Sequence, residues 1–296
     1  MVLRFGIALV IMSLFAGCNR VELKTGHYAT TSAGVESATV VLGGSAGNIT
    51  VTPITGDQLF DATIEYIGEI TFDEGTNPNR TIQLSENVGN LSFTDRELEW
   101  DVKVNRDIPL GLAVAVSSGD VNLNLADFTL TALSVGVSSG SIDLSLPANE
   151  TPYRVNVGSS SGALNAVLED GAQVNFDAIQ MSSGSFVITT GADSIISVVG
   201  TTSSGGMTIN VGEGTALDAT LSGSSGNVVV DVPEGAAVRL EVVSHSSGAV
   251  TVPVVVNKIS GEDENEGVWQ TEGYDSAEVQ INITVSSLSS GSVEIR

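Results

Sequence analysis

An all-β stack of short coils is the fold this sequence predicts, and three observations predict it. The first is a repeat. Ser-Ser-Gly recurs down the chain, with its glycines at Gly119, Gly140, Gly162, Gly184, Gly205, Gly226, Gly248 and Gly291. Successive gaps are 21, 22, 22, 21, 21, 22 and 43 residues, the last reading as two ordinary periods with one motif missing. A fixed period in this range marks a solenoid, in which no single repeat can bury its own apolar face. The second is alternation on both sides of each motif. Leu112, Val114 and Val116 precede Ser117-Ser118-Gly119, and Val121, Leu123 and Leu125 follow it; Leu133, Val135, Val137 and then Ile142, Leu144, Leu146 repeat the pattern. Period-two alternation describes a strand with one buried face. The third is composition: 5% aromatic residues and 33 glycines, with many β-branched residues, favour strands and turns over helices. About ten coils spaced at ~4.8 Å would make a rod roughly 45–50 Å long.

The elements follow in chain order. Arg4 and the eleven-residue apolar run Phe5–Phe15 form an export signal too short to span a membrane. Phe15-Ala16-Gly17-Cys18 resembles a bacterial lipoprotein cleavage box. That resemblance implies removal of residues 1–17 and acylation (palmitate among the acyl groups) of Cys18, the only cysteine. The exported part then carries no disulfide. An ordinary cleaved signal beside a free cysteine is the alternative. Several acyl chains on one residue give stable anchoring, and Asn19 after the cysteine points to the outer membrane. Residues 18–36, with Lys24, Thr25, Gly26, Thr30 and Thr31, read as a polar tether.

Residues 37–110 repeat less cleanly. Gly47 and Gly89 open strand-like runs 42 residues apart with Gly68 midway, which predicts degenerate coils interrupted by a loop around Asp73–Pro78. Residues 111–296 are the regular Ser-Ser-Gly solenoid and its cap. Each motif glycine is expected to supply the positive φ of a tight turn between two short strands. Gly184→Val should therefore destabilise far more than Ser182→Ala. The serines should stack as polar ladders along one ridge.

Few residues offer chemistry. A nucleophilic serine needs a base and an orienting group, and His27 and His245 are the two imidazoles in the chain. His27 falls in the tether and His245 on a surface corner, so no triad is legible and no catalytic residue is assigned. The acidic residues of the regular repeats, Asp120, Asp127, Asp143, Glu169, Asp170 and Asp177, show no repeated position that would stack a catalytic pair. Glu262, Asp263, Glu264 and Glu266 form an acidic loop, read as solvated, with a hard cation such as calcium as the weaker alternative. Trp269 and Tyr274 read as plugs over an open solenoid end, with sugar stacking as the alternative; Trp100 is expected beneath the first full coil. A formal charge of −24 argues against nucleic acid as partner. No cofactor is implied.

Glu99–Asn105, Ile108-Pro109-Leu110 and the first full repeat, together with Gly273-Tyr274 through Val293, resemble the bacterial toast-rack (putative-adhesin) family of β-strand repeat proteins. The likeness covers roughly residues 36–296. It implies a single-stranded, right-handed β-helix-like solenoid and a role at the cell envelope. The leading expectation is a lipid-anchored, non-enzymatic, adhesin-like rod with a surface glycan or envelope protein as partner. A regulatory module of an envelope-stress response and a carbohydrate-active β-helix enzyme are the alternatives.

Overall fold

Alternating side chains leave each repeat with one apolar face and nothing of its own to bury it against. The computed structural model, which describes residues 23–88 and 98–296, shows how the repeats solve this together. The N-terminal strands are β1 (Lys24–Thr31), β2 (Ser37–Ala46), β3 (Asn48–Ile54), β4 (Gln58–Tyr66), β5 (Glu69–Glu74), β6 (Asn79–Asn87) and β7 (Glu99–Asn105). The regular coils comprise β8 (Leu110–Ser118), β9 (Val121–Asn124), β10 (Leu130–Ser139), β11 (Ile142–Leu146), β12 (Tyr153–Leu168) and β13 (Gln173–Thr189). They continue in β14 (Ile195–Ser204), β15 (Met207–Asn210), β16 (Ala216–Ser225) and β17 (Val228–Asp231). The C-terminal strands are β18 (Val238–Val242), β19 (Val250–Thr251), β20 (Val256–Ser260), β21 (Gly267–Thr271), β22 (Ile281–Ser290) and β23 (Val293–Ile295).

These strands form two parallel ladders. The first runs β6–β2–β8–β10–β12–β13–β14–β16–β22–β18. The second runs β7–β3–β9–β11–β12–β13–β15–β17–β23–β19, with β12 and β13 long enough to serve in both. Among the described residues this makes ten coils, and nine steps of ~4.8 Å give a stack about 43 Å long. The inward residues of both ladders fuse into one core, in which Leu123, Ile142, Val155, Phe186, Ile209 and Val230 are fully enclosed.

The glycines hold the two ladders at a shared seam, and the expected bend between two strands is only part of the reason. β12 and β13 run straight through Gly162 and Gly184 without a break. Most motif glycines do have positive φ, 129° at Gly119 and 134° at Gly140, yet Gly184 is not among them. What all share is crowding. A Cβ added at Gly140 would lie 2.0 Å from the Gly119 carbonyl oxygen, and one at Gly184 would lie 1.9 Å from that of Gly162. The backbones of successive coils pack directly against each other at this seam, and only hydrogen fits between them.

The order of coils also departs from the order of the chain. Gly226 and Gly248 are consecutive motifs, yet Gly291 sits between them: its Cβ position meets the Gly226 carbonyl, and that of Gly248 meets the Gly291 carbonyl. The 43-residue gap is therefore no missing repeat. It holds an antiparallel excursion, β20 and β21, which pairs back onto β18, after which the chain returns to insert β22 and β23 one place inward. The other end mirrors this. β2 and β3 lie between β6/β7 outside and β8/β9 inside. Trp100, on β7, consequently sits in the outermost coil, separated from the first full coil by β3.

Both N-terminal edges are closed by antiparallel strands, β5 on β6 and then β4 and β1 on β7. Pairing in this way removes the open edge of a parallel ladder as a template for aggregation. Residues 24–31, expected within a polar tether, are thus strand β1. Tyr28 and Thr30 alternate inward there, Tyr28 packing its ring 5.2 Å from Phe72. β4 and β5, expected as a degenerate coil around Gly68, are the arms of this cap. Gly89 and the run after it lie outside the described residues.

Among the buried polar residues, Ser159 breaks the apolar pattern without compensation. Ser159 faces inward between Val137 and Met181 on the neighbouring coils, and its hydroxyl is buried without a hydrogen-bond partner. An unsatisfied buried hydroxyl is costly, so Ser159→Val, which matches Val137 in shape, should stabilise the rod by about 1 kcal/mol. Urea unfolding checks this; a lower midpoint in the variant would show that the hydroxyl is not the defect.

Candidate functional site

Strand alternation that sends valine and leucine inward sends the other residues outward, and on the middle of the first ladder three adjoining rows of these are small and neutral, with Arg154 and Asp177, 3.6 Å apart, outward at their margin. One row reads Gly43, Ala115, Gly136, Gly158 and Gln180 in register across β2, β8, β10, β12 and β13. Beside it run Val41, Ala113, Ser134, Asn156 and Ala178, and on the other side Ser117, Ser138, Ser160 and Ser182. Glycines at the centre of a strand face leave a depression. Two adjoining troughs of about 460 and 700 Å³ follow these rows across five coils. Among the described residues, the single charged group in their lining is Glu86, at the rim, whose carboxylate accepts the Ile67 and Gly68 backbone N–H groups at 2.9 and 3.3 Å.

The charge sits elsewhere. Asp101, Asp143, Asp231 and Glu294 face outward on the second ladder, and others line the return turns between coils. The Ala192 N–H donates to Asp170 Oδ1 at 2.8 Å, and the Asp193 N–H to the Glu213 carbonyl at 2.8 Å. Asp170, Asp193 and Glu213 are therefore stacked on successive coils. They lie 8, 9 and 8 residues after Gly162, Gly184 and Gly205, so the sequence does carry a nearly repeated acidic position, contrary to the expectation of none. Among the described residues no three carboxylate, histidine or cysteine side chains lie close enough to hold a metal ion together.

The other predicted residues are placed as follows. Cys18 lies outside the described residues. The serines do form polar ladders, through backbone acceptors: Ser225, Ser247 and Ser290 donate to the Ser203, Ser289 and Ser224 carbonyls at 3.3, 3.1 and 3.4 Å. His27 is on β1, 3.2 Å from Asp61. His245 is not a surface corner but buried, with Nε2 2.9 Å from the Gly291 carbonyl and its backbone N–H donated to Glu266. Neither imidazole is hydrogen-bonded to a serine hydroxyl.

The acidic loop does not converge on a point. Glu266 is held by His245, Asp263 Oδ1 by the Asn265 N–H at 2.8 Å, and Lys258 donates to the Asp263 carbonyl. Trp269 on β21 is buried opposite Leu240 of the outermost coil, with the Lys258 ammonium 4.6 Å from its ring centre. Burial of Trp269 and the Lys258 ammonium over its ring leave little of that ring exposed. Tyr274 opens a 3-10 turn, Tyr274–Ser276, on the segment that crosses back to β22. Burial raises its hydroxyl above the ordinary tyrosine value, with Arg239 pulling the other way. Trp100 is enclosed at the opposite end and donates Nε1–H to the Glu65 carbonyl at 3.1 Å.

The trough residues Ala115, Gly136, Gly158 and Gln180 escape motif reading because each is ordinary alone. Aligning outward positions coil by coil would have found them, as the row without charge.

A two-ladder β-solenoid with an uncharged outer trough is the class of protein these features define. Residues 19–165 match the family model described as the N-terminal domain of toast_rack, DUF2154, and this part of the chain belongs to the toast-rack family. Two solved structures are similar in fold. One is a putative adhesin from Bacteroides fragilis NCTC 9343, 13% identical, with a TM-score of 0.47, covering 93% of this chain and 97% of that one. The other is a putative cell adhesion protein from Clostridium sporogenes ATCC 15579, 14% identical, with a TM-score of 0.37, covering 93% and 99%. No curated protein matches the chain.

Proposed function

We propose that this protein is a non-catalytic, adhesin-like rod, held at the bacterial envelope through an acylated Cys18, which binds an extended uncharged polymer along the first ladder. One observation carries the binding face: an uncharged trough crosses five coils of a chain whose formal charge is −24. Extended ligands need contacts repeated along their length, and a ladder presents the same small polar groups every ~4.8 Å. Weak contacts of that kind add through multivalency. A neutral surface glycan fits such a face better than an acidic one, which the carboxylates of the second ladder and the return turns would repel.

Gly136 gives the test. A side chain there meets nothing within 4 Å, so Gly136→Arg fills the trough without disturbing the core. Stability should stay within about 0.5 kcal/mol of the parent, while binding to a panel of neutral polysaccharides should fall about tenfold or more. Unchanged binding by Gly136→Arg would place the ligand elsewhere. Anchoring is tested separately: palmitate labelling should vanish in Cys18→Ser, and protease shaving of intact cells should remove the rod.

A further inference from the structure

The segment that ends this sequence occupies the penultimate place in the stack, and the slot around it is built to close without it. β22 pairs with β16 on one side and β18 on the other, through Leu217↔Ile281↔Val238, Ala219↔Ile283↔Leu240 and Leu221↔Val285↔Val242. The facing positions of β16 and β18 are thus 21 residues apart. That is the offset with which β14 and β16 already pair directly, as in Ile196↔Leu217 and Val198↔Ala219. Gly226 and Gly248 are likewise one ordinary period apart, 22 residues. Residues 232–237, which join β17 to β18, are as short as the returns that step a single coil. The two walls of the slot are therefore complementary to each other as well as to β22 and β23.

We propose that β22 and β23 are an exchangeable insert, and that the same slot in a second copy of this chain accepts them. Two closures compete. In one, β18 and β19 stack directly on β16 and β17 through a six-residue return. In the other, β22 and β23 take that place first, at the end of a connection running from 232 to 280. The short closure has the smaller entropic cost, whereas insertion buries Ile281, Ile283, Val285, Leu288, Val293 and Ile295. When the outer coil opens and recloses by the short route, the insert is left as two alternating apolar strands with unpaired edges. The place that satisfies both its register and its core face is an open slot of the same kind, and a second copy carries one. Exchange of an identical element between protomers is a low-cost route to a dimer.

The contacts locating the insert are its own. His245 Nε2 reaches the Gly291 carbonyl at 2.9 Å, the Leu288 N–H donates to the Ser244 carbonyl at 2.9 Å, and Arg296 pairs with Asp231. All of them form equally well with an insert from another chain.

Thr220 and Thr284 face each other across β16 and β22 on the outer face, where a disulfide between adjacent strands is geometrically possible. Full chains carrying Thr220→Cys and Thr284→Cys separately, each with Cys18→Ser, are mixed at high concentration in mild urea, diluted and oxidised. An interchain disulfide is expected in at least tenfold greater yield than from the control mixture Val199→Cys with Thr220→Cys, which face each other across β14 and β16. Yields equal to the control would overturn the proposal. With both cysteines in one chain, oxidation of the dilute monomer before concentration should lock the insert and prevent dimer formation; dimers that still form from the locked monomer would mean a different interface and would also overturn it. Hydrogen exchange on the unsubstituted chain gives an independent reading. β22 and β23 should lose protection together with β18–β21 and ahead of β10–β14; simultaneous loss over all ladders refutes exchange.

Discussion

Gly184→Ala should cost the rod more than about 3 kcal/mol, although it adds a single methyl group to a residue in ordinary extended backbone. The reason is where that methyl lands, 1.9 Å from the Gly162 carbonyl oxygen and 3.2 Å from the Gly162 nitrogen. A clash with a flexible side chain could be relieved locally. Here both partners are backbone in continuous ladders, so separating them stretches hydrogen bonds on every strand crossing the seam. Gly158→Ala is the matched control, since a Cβ there meets nothing within 4 Å. It should be neutral or stabilising by up to about 1 kcal/mol, because alanine restricts the unfolded chain. Urea unfolding followed by circular dichroism compares the two. A stacked array can unfold in stages, so the shape of the transition is to be reported beside its midpoint. Gly184→Ala melting with the parent would mean that the coils are not in backbone contact at the seam.

Trp100→Ala should cost about 3–5 kcal/mol and loosen one end of the rod before the other. Trp100 is fully enclosed on the outermost N-terminal coil, paired with Ile49 on one side and Ile64 on the other. It is the largest side chain joining the parallel stack to the antiparallel cap. Its loss leaves a cavity that β4 and β1 cannot collapse into while their ladders hold. Hydrogen exchange should show β1 and β4 losing protection while β12 and β13 keep theirs. Trp100→Phe should retain most of the packing and lose chiefly the bond to the Glu65 carbonyl, costing about 1 kcal/mol. Equal exchange throughout the chain in Trp100→Ala would show that the cap is not a separate cooperative unit.

Much of the rod was legible in its sequence because one rule, repeated, dictates it. Alternation of Leu112, Val114 and Val116 with small residues marks a half-buried strand wherever it occurs, and the inward set was found almost residue for residue. The seam was legible as glycine, and so was its positive φ at every motif glycine but Gly184; the crowding of one coil's backbone on the next was not. A positive φ is a local property that sequence can suggest, whereas the approach of Gly162 to Gly184 exists only once two coils are stacked. His245 was misplaced for the same kind of reason: beside a Ser-Ser-Gly corner it resembles surface, and only the intrusion of Leu288 and Gly291 above it makes the position interior. The trough was present as outward residues of no individual interest, whose meaning lies in forming rows of small uncharged side chains in register across five coils.

The repeat determined what each rung is: two short strands, an apolar face inward, a glycine at the seam and a return. It also determined how many rungs there are to stack, about ten. It did not determine which rung lies beside which. A period of 21 or 22 residues gives every coil the same register and the same edges, so β16 fits β18 and β22 equally well by pattern alone. The choice is made by the ends. An end coil must cover an open core face and close two ladder edges, and residues at both ends fold outward as antiparallel hairpins to do so. At the C-terminal end the chain then returns to fill an inner place with β22 and β23, and at the N-terminal end β6 and β7 pass outside β2 and β3 before the chain steps back inward to β8 and β9. Burial of these faces is a property of the whole stack, and only the assembled structure expresses it.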